Sequence, residues 1–214
     1  MAIEKIIELL EREYGCIEWQ AAGDPIDVLI GTILSQNTSD ANSGRAFASL
    51  KASFHSWEAV ASAPAEHIAR AIKCGGLSQI KAARIKQVLG QIETEQGRIS
   101  LDFLKLKTMA QAENFLMRLP GVGHKTARCV LLFSLGKPSL PIDTHIFRVA
   151  KRLGLIDSKV SIEKAHSLLQ EQVPPHKVYQ FHVRMIEHGR RVCHARHPRC
   201  NRCILKSYCP SSLC

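Results

Sequence analysis

The sequence predicts an all-α protein arranged as two helical lobes. Apolar residues recur at the three- and four-residue spacing of a helix face through most of the chain. Alternating β-branched runs, the mark of a half-buried strand, are hard to find, and aromatics supply only 6% of the residues. Apolar residues make up 45% of the 214, enough to bury a genuine core in one large or two small domains.

The elements follow in order. Ile6, Leu9, Leu10 and Tyr14 share one face of a first amphipathic helix. Val28–Leu34 is largely apolar and runs into Ser35–Asp40, a polar helix end or loop. Residues 42–54 resume a helical spacing through Ala46, Phe47 and Leu50. Pro64 suits the first turn of a helix over 64–72, and Gly75-Gly76 breaks the chain. Ser78 is placed to cap the next helix, whose apolar face is read as Ile80, Ala83, Ile85, Val88 and Ile92. Helices over 108–118 and 124–135 are joined by Pro120-Gly121-Val122-Gly123. Pro138 and Pro141 precede a helix near Thr144–Leu153, and two more follow at 161–171 and 177–190 before a cysteine-rich end. A composition shift near residue 137 marks a boundary between lobes.

Charge narrows the function. Lys and Arg number 29 against 19 Asp and Glu, a formal net charge of +10. Such an excess suits a polyanion, because each phosphate neutralised releases condensed counterions. Basicity for solubility alone is the plain alternative. No signal peptide is visible in the charged N-terminal helix, and no stretch reaches the roughly 20 apolar residues of a membrane span. A soluble, intracellular protein is expected, cytoplasmic or at the nucleoid. Eight cysteines in a reducing compartment then point to metal or redox chemistry rather than disulfides.

Leu119-Pro-Gly-Val-Gly-His-Lys-Thr-Ala127 sits between two helical patterns. Its glycines permit backbone angles closed to other residues, and the helix starting just after them offers free N–H groups and a positive dipole end. That geometry binds a phosphate without reading sequence. A tight turn between antiparallel helices would use the same residues. Lys125 could be a surface lysine on phosphate, or a nucleophile if burial beside the helix start disfavours its ammonium. Eighteen residues on, Asp143 within Leu140-Pro-Ile-Asp-Thr-His-Ile146 is a good N-cap for the helix from Thr144. Its carboxylate could also stabilise a developing positive charge.

Cys193, Cys200, Cys203 and Cys209 form C-x6-C-x2-C-x5-C, four thiols that can surround one metal centre. Zinc and iron–sulfur are the two candidates, although zinc ribbons pair two C-x2-C knuckles and only one is present. Arg190, Arg191, His194, Arg196, His197, Arg199, Arg202 and Lys206 crowd this segment, to meet DNA backbone, to offset thiolate charge, or both. Of the remaining cysteines, Cys129 reads as a small core residue and Cys214 as dispensable, while Cys16 lies on a helical face and Cys74 beside the break.

These motifs together resemble the helix-hairpin-helix DNA glycosylases, the endonuclease III group most closely, over about residue 22 to Cys209. The resemblance implies a six-helix domain over 25–136 holding the hairpin. It implies a second helical domain from 1–24 and 137–214 carrying the cysteine loop, with DNA in the cleft between. By the same resemblance Lys125 is the nucleophile, Asp143 the catalytic carboxylate facing it across the cleft, and the four cysteines ligands of a [4Fe–4S] cluster. Gly121, Gly123, His124, Lys125, Thr126, His145 and Arg148 become DNA contacts, with His145 bracing its turn rather than acting as a base. Ile33–Asp40 is similar to the segment that plugs the gap left by a flipped base. The family places glutamine where Asn37 stands, with Gln36 one position earlier, so both are candidates for the plug. The implied activity is that of a monomeric DNA N-glycosylase and abasic-site lyase on double-stranded DNA, removing oxidised pyrimidines through a lysine Schiff base and β-elimination. Two alternatives stand beside it: a glycosylase for a modified or mismatched base (5-methylcytosine, uracil or a thymine mismatch), and a non-catalytic DNA-binding module.

Overall fold

The computed structural model describes residues 3–212, so Cys214 lies outside the described residues. Among those residues there are eleven α-helices and no strand. No helix is long and apolar enough to cross a membrane. The chain forms two compact units: Ala21–Leu135, and the described residues of Met1–Gln20 with Gly136–Cys214.

The first of these holds α2 (Pro25–Ser35), α3 (Asp40–Ser53), α4 (Trp57–Ser62), α5 (Ala65–Ala71), α6 (Ser78–Gln96), α7 (Met109–Met117) and α8 (His124–Phe133). Helix α2 is its axis. Asp24 caps it through a 2.8 Å bond from the Ile26 N–H, and Pro25 presets its first turn. Ile26, Leu29, Ile30, Ile33 and Leu34 are all buried, because α3, α6 and α8 pack around it. Each such side chain contributes about 2 kcal/mol by leaving water.

Helix α6 departs from the sequence expectation in two ways. Its N-cap is Leu77 rather than Ser78, held in the left-handed region at φ 48° with no side-chain cap. Its buried face is Lys81, Ala82, Ile85, Val88, Leu89 and Ile92, while Ile80 and Ala83 point to solvent. Ile85, Val88 and Ile92 lie on the buried face as expected, and the rest of the face differs because a lysine occupies a core position. Lys81 is only 2% exposed, and its Nζ donates to Leu34 O at 2.7 Å and Gly75 O at 2.9 Å. Lys86 does the same for Ala61 O and Ala63 O, at 2.6 and 2.8 Å. Two cations of one helix thus satisfy carbonyls at the ends of α2 and α4 and at the Gly75 turn. Burial pushes the Lys81 amine below its ordinary range.

The other unit holds α1 (Ile3–Tyr14), α9 (Thr144–Arg152), α10 (Ile162–Gln172) and α11 (Val178–Arg191). Helix α11 is packed by α1 and α9. Ile6 and Leu10 of α1, Val149 of α9, and Phe181 and Met185 of α11 are buried in this unit. Helix α1 is further tied to the rest by Lys177 Nζ to Glu11 at 2.6 Å and by Arg184 Nε to Gly15 O at 2.9 Å.

Candidate active site

The turn between α7 and α8 is built from both sides. Leu119 and Val122 are buried and pin it to the core, while Gly121 and Gly123 are exposed. Gly121 has φ +70°, and a Cβ there would collide with the Arg84 guanidinium. Arg84 in turn donates to Gln36 Oε1 at 2.7 Å, and Gln36 Nε2 donates to Gly121 O at 3.3 Å. Gly123 is the N-cap of α8, so no side chain caps that helix and its first N–H groups are left for a ligand.

Glu113 of α7 clamps the start of α8. One carboxylate oxygen faces His124 Nδ1 at 3.0 Å and accepts from Arg128 Nε at 2.7 Å. Burial raises the carboxyl's proton affinity, but the Arg128 and His124 hydrogen bonds outweigh it and hold the group below its usual range. Lys125 is half-buried on the first turn and has no hydrogen-bond or ion-pair partner among the described residues. Thr126 is only 4% exposed, so its side chain is closed to DNA and only its backbone N–H remains available.

Of the two residues proposed to fill a gap, Gln36 is committed to Arg84 and Gly121. Asn37 is exposed, at φ 54°, with no side-chain partner among the described residues. Leu77, an apolar side chain half exposed at 50%, is likewise left-handed, and the sequence reading named it for no role. Its only signal is a large apolar residue placed directly after the Gly75-Gly76 break.

In the other unit, Asp143 is the N-cap of α9, accepting from Ile146 N–H at 2.8 Å through Oδ1. Arg148, expected as a DNA contact, is consumed internally. Its Nε donates to Cys193 O at 3.0 Å, Nη2 to Gly189 O at 3.0 Å, and Nη1 to Thr144 O at 3.4 Å. Nη2 also meets His145 Nδ1 at 3.1 Å, so His145 is braced as well. Every nitrogen of that guanidinium has a protein partner, which is why sequence spacing could not foretell its use.

The four cysteines of the 193–209 loop line one small cavity with Arg152, and none is in a disulfide. Among the described residues no three or more His, Cys, Asp or Glu side chains are gathered closely enough to hold a single metal ion. Burial first, and then the charges of neighbouring cysteines (Cys193, Cys209 and Cys200 for Cys203; Cys193 and Cys200 for Cys209), push these two thiols up. Four thiolates so placed repel one another and call for a positive centre, so the donor set fits a thiolate-bound cofactor. Arg152 Nη1 donates to Cys193 Sγ at 3.2 Å, and His188 Nε2 lies 3.5 Å from Cys203 Sγ. Arg152 also binds His194 O and Ala195 O at 2.6 and 3.0 Å, fixing the loop's backbone.

The profile of the HhH-GPD superfamily base excision DNA repair proteins matches residues 30–175. The chain belongs to that superfamily. Endonuclease III of Thermotoga maritima is 34% identical over 186 residues, 87% of this chain and 83% of its own. A candidate DNA glycosylase of Arabidopsis thaliana is 38% identical over 165 residues, and this chain spans 77% of itself but 56% of that protein. The solved structure of a trapped endonuclease III–DNA covalent intermediate superposes with a TM-score of 0.85 at 26% identity, covering 98% of this chain and 95% of that one. This HhH-GPD member is a base excision repair enzyme of the DNA glycosylase/lyase type, and its all-helical fold is that of endonuclease III.

Proposed function

We propose that this enzyme acts as a monomer on double-stranded DNA inside the cell, excising oxidised pyrimidines with Lys125 as nucleophile and Asp143 as the essential carboxylate. The observation that carries the reading is Lys125 itself. It is half-buried on the open first turn of α8, and its amine has no partner among the described residues, while its neighbours Glu113, His124 and Arg128 are bound to one another.

The chemistry balances without an outside oxidant or energy source. The Nζ lone pair attacks C1′ of the flipped nucleotide, and the glycosidic bond breaks with its electrons leaving on the base, which takes up a proton. Asp143 stabilises the positive charge developing on the sugar and accepts the proton shed by the attacking amine. The sugar ring opens to a Schiff base on Lys125. Loss of a C2′ proton then expels the 3′ phosphate, nicking the strand, and water releases the enzyme. The uncapped N–H groups of α8 hold a backbone phosphate beside the site. Asn37, exposed at a left-handed position, enters the vacated stack, with Leu77 as an apolar wedge, while Gln36 keeps the hairpin in shape.

Cys193, Cys200, Cys203 and Cys209, which line one small cavity, would hold a [4Fe–4S] cluster. Bound there, it would cross-link the basic loop that carries these cysteines.

Borohydride trapping tests the reading. Duplexes carrying an oxidised pyrimidine, uracil, a thymine mismatch, 5-methylcytosine or an abasic site are incubated with enzyme and reductant. A covalent adduct on the oxidised pyrimidine, absent in Lys125→Gln with DNA affinity retained, is the expected result. Lyase activity lost by less than about tenfold in that variant would remove Lys125 from the role, since deleting a true nucleophile costs several orders of magnitude. Trapping confined to another base keeps the mechanism and changes the substrate.

A further inference from the structure

His188 lies near the end of α11, beside the cysteine loop. It is only 1% exposed, and its ring is used at both nitrogens: Nδ1 lies 3.0 Å from the Tyr14 hydroxyl, and Nε2 lies 3.5 Å from Cys203 Sγ. Its carbonyl accepts from Val192 N–H at 2.9 Å and from Cys193 N–H at 3.0 Å. One residue at the end of α11 therefore holds the backbone at the first cysteine and faces the sulfur of the third. Tyr14 reaches it from α1, whose position is fixed by Lys177–Glu11 and by Arg184 on Gly15 O.

We propose that His188 is a positioning residue for the cluster. Its Nε2–H is held on the Cys203 thiolate, and the Tyr14 hydroxyl enforces that orientation by donating to Nδ1. This rests on the reading of the four cysteines as iron–sulfur ligands. The geometry leaves few alternatives. A phenol that donates to Nδ1 leaves the imidazole proton on Nε2, the nitrogen that faces sulfur. Burial first, then the charges of Glu13, Glu187 and Cys203, push the Tyr14 phenol up to about 12, so it keeps the proton it donates. The ring edge packs against Tyr14 at 65° with centroids 6.1 Å apart, which resists rotation of the imidazole.

The consequence is electronic. A hydrogen bond donated to a cluster sulfur stabilises the more negative member of a one-electron couple and so raises its potential. With Arg152 on Cys193, two of the four thiolates receive a donor from outside the loop.

The test uses the holoprotein as purified, with iron and sulfide measured per chain. The midpoint of the cluster's one-electron couple is determined by optical titration for wild type, His188→Leu and Tyr14→Phe. Electron–nuclear double resonance of the paramagnetic form, in H2O and D2O, then looks for an exchangeable proton near sulfur. In His188→Leu the oxidised-to-reduced ratio at fixed poise is expected to rise about tenfold, equal to ~59 mV for one electron, with the His188 contribution to the exchangeable-proton signal lost and that of Arg152 on Cys193 retained. Tyr14→Phe, which touches no cysteine, is expected to shift the same way by a smaller factor with a weakened signal. If His188→Leu fails to assemble a cluster, Tyr14→Phe decides alone. A cluster-loaded variant with unchanged potential and unchanged proton signal overturns the proposal by itself. Zinc in place of iron and sulfide overturns the cofactor reading and this proposal with it.

Discussion

The Arg84 side chain occupies the space that a side chain on residue 121 would need, and the same guanidinium holds Gln36 at 2.7 Å. The hairpin turn, the loop after α2 and helix α6 are therefore one assembly, with Gly121 as its smallest part. Replacing Gly121 with Ala meets two penalties, a left-handed φ of +70° and the displacement of Arg84. Gly121→Ala is expected to lower stability by about 1–3 kcal/mol and weaken binding to an abasic-analogue duplex by about tenfold. Denaturant unfolding and a binding isotherm measure the two effects. Full stability in this variant would mean that Arg84 moves aside freely and that the assembly is not rigid.

Lys81 is a second point where a charged side chain does structural work inside the core. Its ammonium bonds Leu34 O and Gly75 O, both on backbone leading into the candidate DNA-binding loops. Lys81→Met keeps the bulk and removes the donor, leaving two buried carbonyls short of a partner. The expected loss is about 1–3 kcal/mol, read from urea denaturation. A variant as stable as wild type would show that water replaces the ammonium there.

These two residues also show why sequence was legible in some places and not in others. The hairpin could be read because Gly, Pro and a helix start leave a local mark, and Asp143 because N-capping is decided within three residues. On α6 the apolar spacing finds Ile85, Val88 and Ile92 but not Lys81, because such spacing discounts lysine, and Lys81 is bound to Leu34 O, 47 residues away. Helix α4 went unnoticed for lack of length, its six residues giving less than two turns of pattern. Arg148 and Thr126 carry no local sign of whether they face DNA or the protein. The Tyr14–His188 contact joins residues 174 apart, which no spacing rule reaches.

Glu113 makes the start of α8 sensitive to acid. Its folded carboxyl lies below the ordinary value of 4.5 because the Arg128 and His124 hydrogen bonds outweigh burial. A depressed carboxyl contributes stability that is fully present above the unfolded value and lost as pH falls through the folded one. Glu113→Gln is therefore expected to be less stable than wild type by about 1–2 kcal/mol near neutral pH. The gap should close as the pH drops below about 4.5. Unfolding midpoints of the two proteins across pH 3–8 would follow it. A gap that stays constant to the acid end would assign the effect to side-chain shape instead of charge.

Asp143 allows its two roles to be separated by one substitution. Oδ1 caps α9 by accepting from Ile146 N–H at 2.8 Å, a task an asparagine oxygen performs about as well. What asparagine lacks is the charge, whose interaction with the helix dipole is worth only about 0.3–1 kcal/mol. Asp143→Asn is expected to fold with a stability loss inside that range. Base release is expected to fall about 10²–10⁴-fold, the usual contribution of a positioned acid–base group. Asp143→Ala should lose both, dropping a further ~1 kcal/mol for the missing cap. Single-turnover excision with parallel thermal unfolding distinguishes these outcomes. If Asp143→Asn excises base at the wild-type rate, the carboxylate is a cap and nothing more, and the positive charge on the sugar must be met by another group. If it instead unfolds like Asp143→Ala, the charge itself holds the cap, and the lost activity is assigned to unfolding.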